Sequence, residues 1–153
     1  MTPYTPRPID PTVLKELRSA DDAGRGMVPV RDEEGGAPLR CCLRRSEPGE
    51  RIALVSYAPL RRWAADPGAY DEVGPVFVHA EECGGPAAGS GYPFPGAHRV
   101  IRRYSAEGHI LGGELVDTLD DDAFQRAFTD PAVVRVHVRA VEYGCFHFEV
   151  RRA

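Results

Sequence analysis

Apolar and polar residues alternate along several short stretches of this chain, and only two stretches carry apolar residues at a helical spacing. Asp10-Pro11 is a helix-opening pair, and Val13, Leu14 and Leu17 then share one side of a helix running to about Ser19. Asp120, Asp121 and Asp122 place acids at the favourable N-terminus of a second helix, which ends near Phe128. The remaining pattern is that of strands. Met27 to Val30 predicts a short one. Leu39 to Arg44 and Ile52 to Tyr57 predict a hairpin around Glu47-Pro48-Gly49-Glu50, where Pro then Gly fits a type II turn. Residues 61 to 72 hold Trp63 and Tyr70 and leave room for one helical turn.

Gly74-Pro75 opens a strand from Val76 to Glu81. Val100 to Tyr104 and Ile110 to Val116 form another hairpin around Glu107-Gly108, and Val133 to Val141 with Phe146 to Val150 closes the chain. Residues 1 to 8 read as an extended segment, and 84 to 98 as a long Gly/Pro-rich loop of the kind that carries function or disorder. Strands in hairpins with two short helices give an α+β fold, mainly antiparallel sheet, in a single domain spanning 1–153.

Composition narrows the function classes. Glycine and proline number 16 and 14 among 153 residues, which suits a turn-rich domain rather than a helix bundle. Lys15 is the only lysine and does not follow a glycine-rich run, so a phosphate-binding P-loop is excluded. The chain has no asparagine, which excludes a Cys-His-Asn triad and N-glycosylation. A net charge of −4 and a pI of about 5.7 disfavour nucleic acid as a partner, although four Arg-Arg pairs (44–45, 61–62, 102–103, 151–152) could place inward-facing arginines around an anion. The alternative is that these are solvated surface arginines. There is no apolar run near membrane-spanning length and no leader-like apolar stretch, so the expectation is a cytoplasmic protein without a membrane contact. Cys41, Cys42, Cys83 and Cys145 are then expected as reduced thiols.

Three sets of residues could carry chemistry. On the strand after Gly74, alternation puts Phe77, His79, Glu81 and Cys83 on one face, opposite the apolar Val76, Val78 and Ala80. Successive donors on one strand are about 7 Å apart, too wide for one metal, so a metal would need donors from a second strand. Cys145, His147 and Glu149 share a face of the last strand, and if the two strands were neighbours, His79, Cys83, Cys145 and His147 could hold zinc or iron. The alternative is a polar solvent-facing surface with unremarkable thiols.

The second set is Cys41-Cys42. In a strand they point to opposite faces, Cys41 into the core with Leu39 and Leu43, and Cys42 beside Arg40 and Arg44. A neighbouring guanidinium favours the thiolate, so Cys42 is the candidate nucleophile and His79 the candidate base; the alternative is a passive thiol. The third is the 84–98 loop with Tyr92, Phe94 and His98, placed to close over a ligand beside Cys83. His109 and His137 read as surface histidines.

Cys42-Leu43, Glu47-Pro48-Gly49-Glu50, Leu54-Val55-Ser56-Tyr57, Tyr70, the Gly74 to Cys83 block and Gly144-Cys145-Phe146 together resemble a bacterial family, domain of unknown function 1203, over about Leu39 to Arg152. The resemblance implies one compact domain of unestablished activity and supplies no catalytic residue. Members carrying Cys at the place of Leu39 and Arg at the place of His79 speak against a metal site common to the whole family. The residues leave two functions to weigh. One is a small-molecule enzyme using His79, Glu81, Cys83 and Cys42, with or without a metal. The other is a non-enzymatic module that binds a ligand or partner protein through the sheet face and long loop.

Overall fold

Both helices begin where an aspartate caps them. Asp10 accepts a hydrogen bond from the Thr12 amide at 3.0 Å and opens α1 (Pro11–Ser19), whose Leu14 and Leu17 are buried. Asp120 accepts one from the Ala123 amide at 2.8 Å and opens α2 (Asp121–Ala127), which buries Ala123, Phe124 and Ala127. The computed structural model describes residues 3–89 and 91–152.

Among the described residues seven strands form two antiparallel sheets, the α+β fold of mainly antiparallel sheet that the sequence predicts. The first sheet has β1 (Val30–Asp32), β2 (Glu50–Tyr57) and β3 (Gly74–His79) in that order. The second runs β5-β4-β6-β7, from β4 (Arg99–Tyr104), β5 (Ile110–Val116), β6 (Arg135–Arg139) and β7 (Phe146–Arg151). A single 3-10 turn at Gly68–Tyr70 is the helical turn expected between 61 and 72. Among the described residues no helix is long and apolar enough to cross a membrane.

Two expected elements differ. The first short strand begins at Val30 rather than ending there. Residues 39 to 44 form no strand at all: β2 pairs instead with β1 and β3, through registers such as Val30↔Ile52 and Ile52↔His79. The Glu47–Glu50 turn survives, closed by the Glu50 amide on the Glu47 carbonyl, with Gly49 at φ 91° where a side chain would be strained.

Each sheet buries one face under a helix. Leu14 and Leu17 of α1 share a core with Val55, Val76 and Val78. Phe124 and Ala127 of α2 cover Ile101, Val136, Val138, Phe148 and Val150. Each fully buried aliphatic or aromatic side chain contributes about 1.5–3 kcal/mol. The exposed edge of β7 is closed by the N-terminal segment, whose Arg7 exchanges both backbone hydrogen bonds with Glu149.

The second face of the β4-β6-β7 sheet overturns a reading made from alternation. His137 is fully buried, not on the surface, because the Trp63 and Tyr104 rings and Phe146 pack around it. Its Nε2–H donates to Glu149 at 3.0 Å, and Arg135 and Arg151 reach the same carboxylate at 3.0 and 2.7 Å. Burial opposes the Glu149 charge, but these partners hold its carboxyl down at about 2. Burial pushes His147 down to about 3, helped by the surrounding arginine charges.

Both groups bind protons more readily in the unfolded chain, so both make stability rise with pH. The His147 contribution is complete above its ordinary value of 6.5 and is lost as pH falls toward 3; that of Glu149 is complete above 4.5 and is lost toward 2. Urea unfolding as a function of pH should therefore show a plateau near neutrality and a decline below about 6.5. Glu149→Gln should cost roughly 2–3 kcal/mol at pH 7 and remove the more acidic part of the decline. A stability that increases on acidification contradicts this assignment.

A candidate metal centre of three thiols and an imidazole

The centre starts with a turn that the sequence disguises as a strand. Leu39 is fully buried and lies beside Phe77 in a parallel bridge. Its carbonyl accepts the Leu43 amide at 2.9 Å, and its amide donates to the Arg44 carbonyl at 2.9 Å. The chain therefore reverses over four residues, with Leu43 in the left-handed region at φ 59°. That conformation costs an ordinary L-residue about 1–2 kcal/mol, offset here by burial of the Leu43 side chain. In a tight turn successive side chains need not oppose each other. Cys41 and Cys42 do not point to opposite faces as a strand would require: their sulfurs lie 4.0 Å apart, and both residues are buried.

The second contribution comes from the end of β3. Pairing of Ile52 with His79 sets the imidazole at the start of β2, next to the turn that carries Glu50. The strand stops at His79, and the chain bends through residues 80 to 83. This bend, rather than strand alternation, brings Cys83 back. One donor atom from each of Cys41, Cys42, His79 and Cys83 lies within 4.8 Å of all the others. Cys83 is the half-buried member on the solvent side, and the other three are buried.

The imidazole is held from both sides. Nδ1 faces the thiols, at 3.3 Å from Cys41 Sγ and 3.8 Å from Cys42 Sγ. Nε2 lies 2.8 Å from Glu50 Oε2 and donates to it. Glu50 is itself clamped by Arg44 through two 2.9 Å hydrogen bonds and by the Glu47 amide at 2.7 Å. The His79 backbone is fixed as well: its amide donates to Cys41 Sγ at 3.2 Å, and its carbonyl accepts Arg18 Nε at 3.1 Å.

The electrostatics favour a thiolate. A hydrogen bond from Cys41 lowers the Cys42 thiol to about 6, and the Arg44 amide and the His79 and Arg44 charges add to the effect. The same hydrogen bond, with burial, pushes Cys41 up. The pair thus shares one proton, carried by Cys41. The Arg44 hydrogen bonds hold Glu50 well below the usual carboxylate range.

Other residues with a proposed role lie elsewhere. Glu81 follows the end of β3, points into solvent and pairs with Arg51 at 2.7 Å. Among the described residues Cys145 and His147 do not join His79 and Cys83, whose close donor group is completed by Cys41 and Cys42 instead. His147 is buried against Phe94, and Cys145 lies beside Arg40. Arg40 is not on the Cys42 side of a strand; it is buried and donates to the Phe146 carbonyl at 2.7 Å. Cys41 and Glu50 are the members that sequence alternation misses. The adjacent thiols were the available signal for Cys41; nothing short of the β2–β3 register points to Glu50. Two shallow cavities, about 120 Å³ beside Arg139 and Cys145 and about 210 Å³ beside Phe94, are lined by none of the four donors.

In reduced, metal-free protein, the ultraviolet absorbance of thiolate should titrate one thiol near pH 6. Cys42→Ser should abolish that step and Arg44→Ala should move it upward. A first thiol titrating only near the ordinary value of about 8.5 contradicts the arrangement.

A family model described as a protein of unknown function (DUF1203) matches residues 36–152, which include the whole centre. No functionally curated protein and no solved structure matches the chain. With most of its length covered by that model, this chain belongs to the DUF1203 family.

Proposed function

We propose that the protein binds one zinc ion through Cys41, Cys42, Cys83 and His79. The observation that supports this most is the spacing of the donors. Zinc bonds of about 2.3 Å to sulfur and 2.0 Å to nitrogen imply tetrahedral edges of about 3.8 Å between sulfurs and about 3.5 Å between sulfur and nitrogen. The Cys41 and Cys42 sulfurs lie 4.0 Å apart, His79 Nδ1 lies 3.3 and 3.8 Å from them, and the Cys83 donor lies within 4.8 Å of all three. Donors this close suit a single ion rather than an iron–sulfur cluster, whose irons and sulfides would stand between the thiolates. Three thiolates and an imidazole in tetrahedral array are a zinc set rather than a calcium, magnesium or copper(II) set.

The surroundings suit a bound cation. Glu50 accepts from the far nitrogen of His79, which orients the ring and raises its basicity toward a metal at Nδ1. All four positions are taken by the chain, which is the signature of a structural or storage site rather than one with a place for substrate. Such an ion would pin the 39–43 turn, the end of β3 and the bend at residue 83 together.

A second reading rests on Cys42, His79 and Glu50. With no metal, Cys42 would be a thiolate nucleophile, His79 its acid/base partner at 3.8 Å and Glu50, not Glu81, the group orienting the ring. This is the small-molecule enzyme reading. Neither of the two cavities is lined by Cys42 or His79, so it is second.

Elemental mass spectrometry of untagged protein separates the two. We expect close to one zinc per chain, lost in His79→Ala and in Cys83→Ser, and retained in Cys145→Ser and His147→Ala. Glu50→Gln should weaken zinc by about 10–100-fold in competition with a chromogenic chelator. Zinc removal should lower the melting temperature, as expected for a ligand that binds only the folded chain. Metal-free protein with an intact, reactive Cys42 overturns the zinc reading in favour of the thiol one.

A further inference from the structure

Beside the 39–43 turn, positive charge is buried with no carboxylate bonded to it. Arg40 and Arg99 are 2% and 4% exposed, and Arg45 lies at the rim. Their hydrogen bonds go to backbone carbonyls, apart from one between Arg40 and the Cys145 thiol. Arg40 takes those of Pro38 and Phe146, Arg45 that of Gly36, and Arg99 those of Phe94 and His98. None reaches a carboxylate. Arg139, nearby, is different: Glu72 holds it at 2.7 Å. Glu142, whose charge reaches Arg99, is itself bonded to His98 at 2.6 Å.

The three arginines surround one spot. His147 packs edge-on against the Phe94 ring at 5.1 Å, and the Arg45 guanidinium lies 5.7 Å over the same ring. Arg99 donates to the Phe94 carbonyl, and Arg40 to the carbonyl of Phe146, the neighbour of His147. Two buried polar atoms here have no partner, Arg99 Nε and His147 Nδ1. Removing one guanidinium from water costs several kcal/mol unless an opposite charge or full hydrogen bonding compensates it.

Phe94 sits at the centre of this arrangement in a strained conformation. Its φ is 55°, and it shares the left-handed region with only Leu43 among the described non-glycine residues. It belongs to the Gly/Pro-rich loop and lines the 210 Å³ cavity. Strain of this kind is kept where surroundings enforce it, commonly at ligand sites.

We propose that Arg40, Arg45, Arg99 and His147 form a binding site for a tetrahedral oxoanion, a phosphate or phosphoryl group, which enters from the cavity side as Phe94 moves aside. A tetrahedral dianion offers oxygens in several directions, which matches guanidinium groups arriving from the 39–45 segment and from the start of β4. A carboxylate offers only two oxygens in one plane. The site shares none of its four residues with the thiol centre.

The test is isothermal titration calorimetry and thermal unfolding of the full chain with inorganic phosphate, sulfate, succinate and chloride at equal ionic strength. Saturable binding of phosphate or sulfate with a raised melting temperature is expected, while succinate and chloride give neither. Arg45→Ala, at the exposed rim, should weaken phosphate about tenfold, and Arg99→Met at least as much. Arg31→Ala, an exposed arginine paired with Glu33, should change nothing and controls for net charge. Arg45→Ala also guards against misfolding, since it should fold normally and lose only the anion; its unliganded melting temperature should equal or exceed that of wild type, because a like charge has gone. Absence of saturable binding, stabilisation by succinate as strong as by phosphate, or equal loss in Arg31→Ala would overturn the site.

Discussion

Everything distinctive about this structure depends on the reversal of the chain between Leu39 and Leu43. A buried leucine tied to Phe77 and a left-handed leucine closing onto its carbonyl force three polar or reactive residues into one turn. The turn sends Cys41 and Cys42 to the His79 side and Arg40 to the other side, against β7. The Arg40 amide donates to the Phe77 carbonyl of β3, its carbonyl accepts the Ile9 amide, and its guanidinium reaches the Phe146 carbonyl of β7. One residue thus joins the two sheets and the N-terminal segment. The thiol centre and the arginine cluster are two consequences of the same backbone event.

Much of the fold was legible in the sequence because it rests on local rules. Asp10-Pro11 and the Asp120–Asp122 run announce helix starts through capping and dipole effects that operate within one turn. The β4–β5 and β6–β7 hairpins follow from alternation bounded by Glu107-Gly108 and Glu142 to Gly144. The 39–44 segment was not legible. Leu-Arg-Cys-Cys-Leu-Arg alternates like a strand, and a left-handed residue is normally announced by glycine or asparagine. Here tertiary packing around Leu39 and Leu43 overrides local preference, and no local rule encodes that.

The site was half legible for the same reason. His79 and Cys83 stood out as metal- or proton-binding residue types, yet the strand geometry used to relate them to Cys145 and His147 does not apply. The chain bends after His79, and β7 lies in another sheet. Glu50 carried no signal, since a glutamate ending a Pro-Gly turn is ordinary; only the β2–β3 register reveals that it faces His79. His137 was misread because alternation with valines suggests a solvent face in an antiparallel sheet, whereas the Trp63 segment covers that face here. Alternation tells which residues share a face. It does not tell what covers that face.

The central claim, that the tight turn assembles a sulfur-rich tetrahedral centre, is tested most directly by X-ray absorption at the zinc edge of the purified protein. Three sulfurs at about 2.3 Å and one nitrogen at about 2.0 Å are expected around the zinc, with the scattering signature of an imidazole. A shell of oxygen and nitrogen only, or one with fewer than three sulfurs, would contradict it.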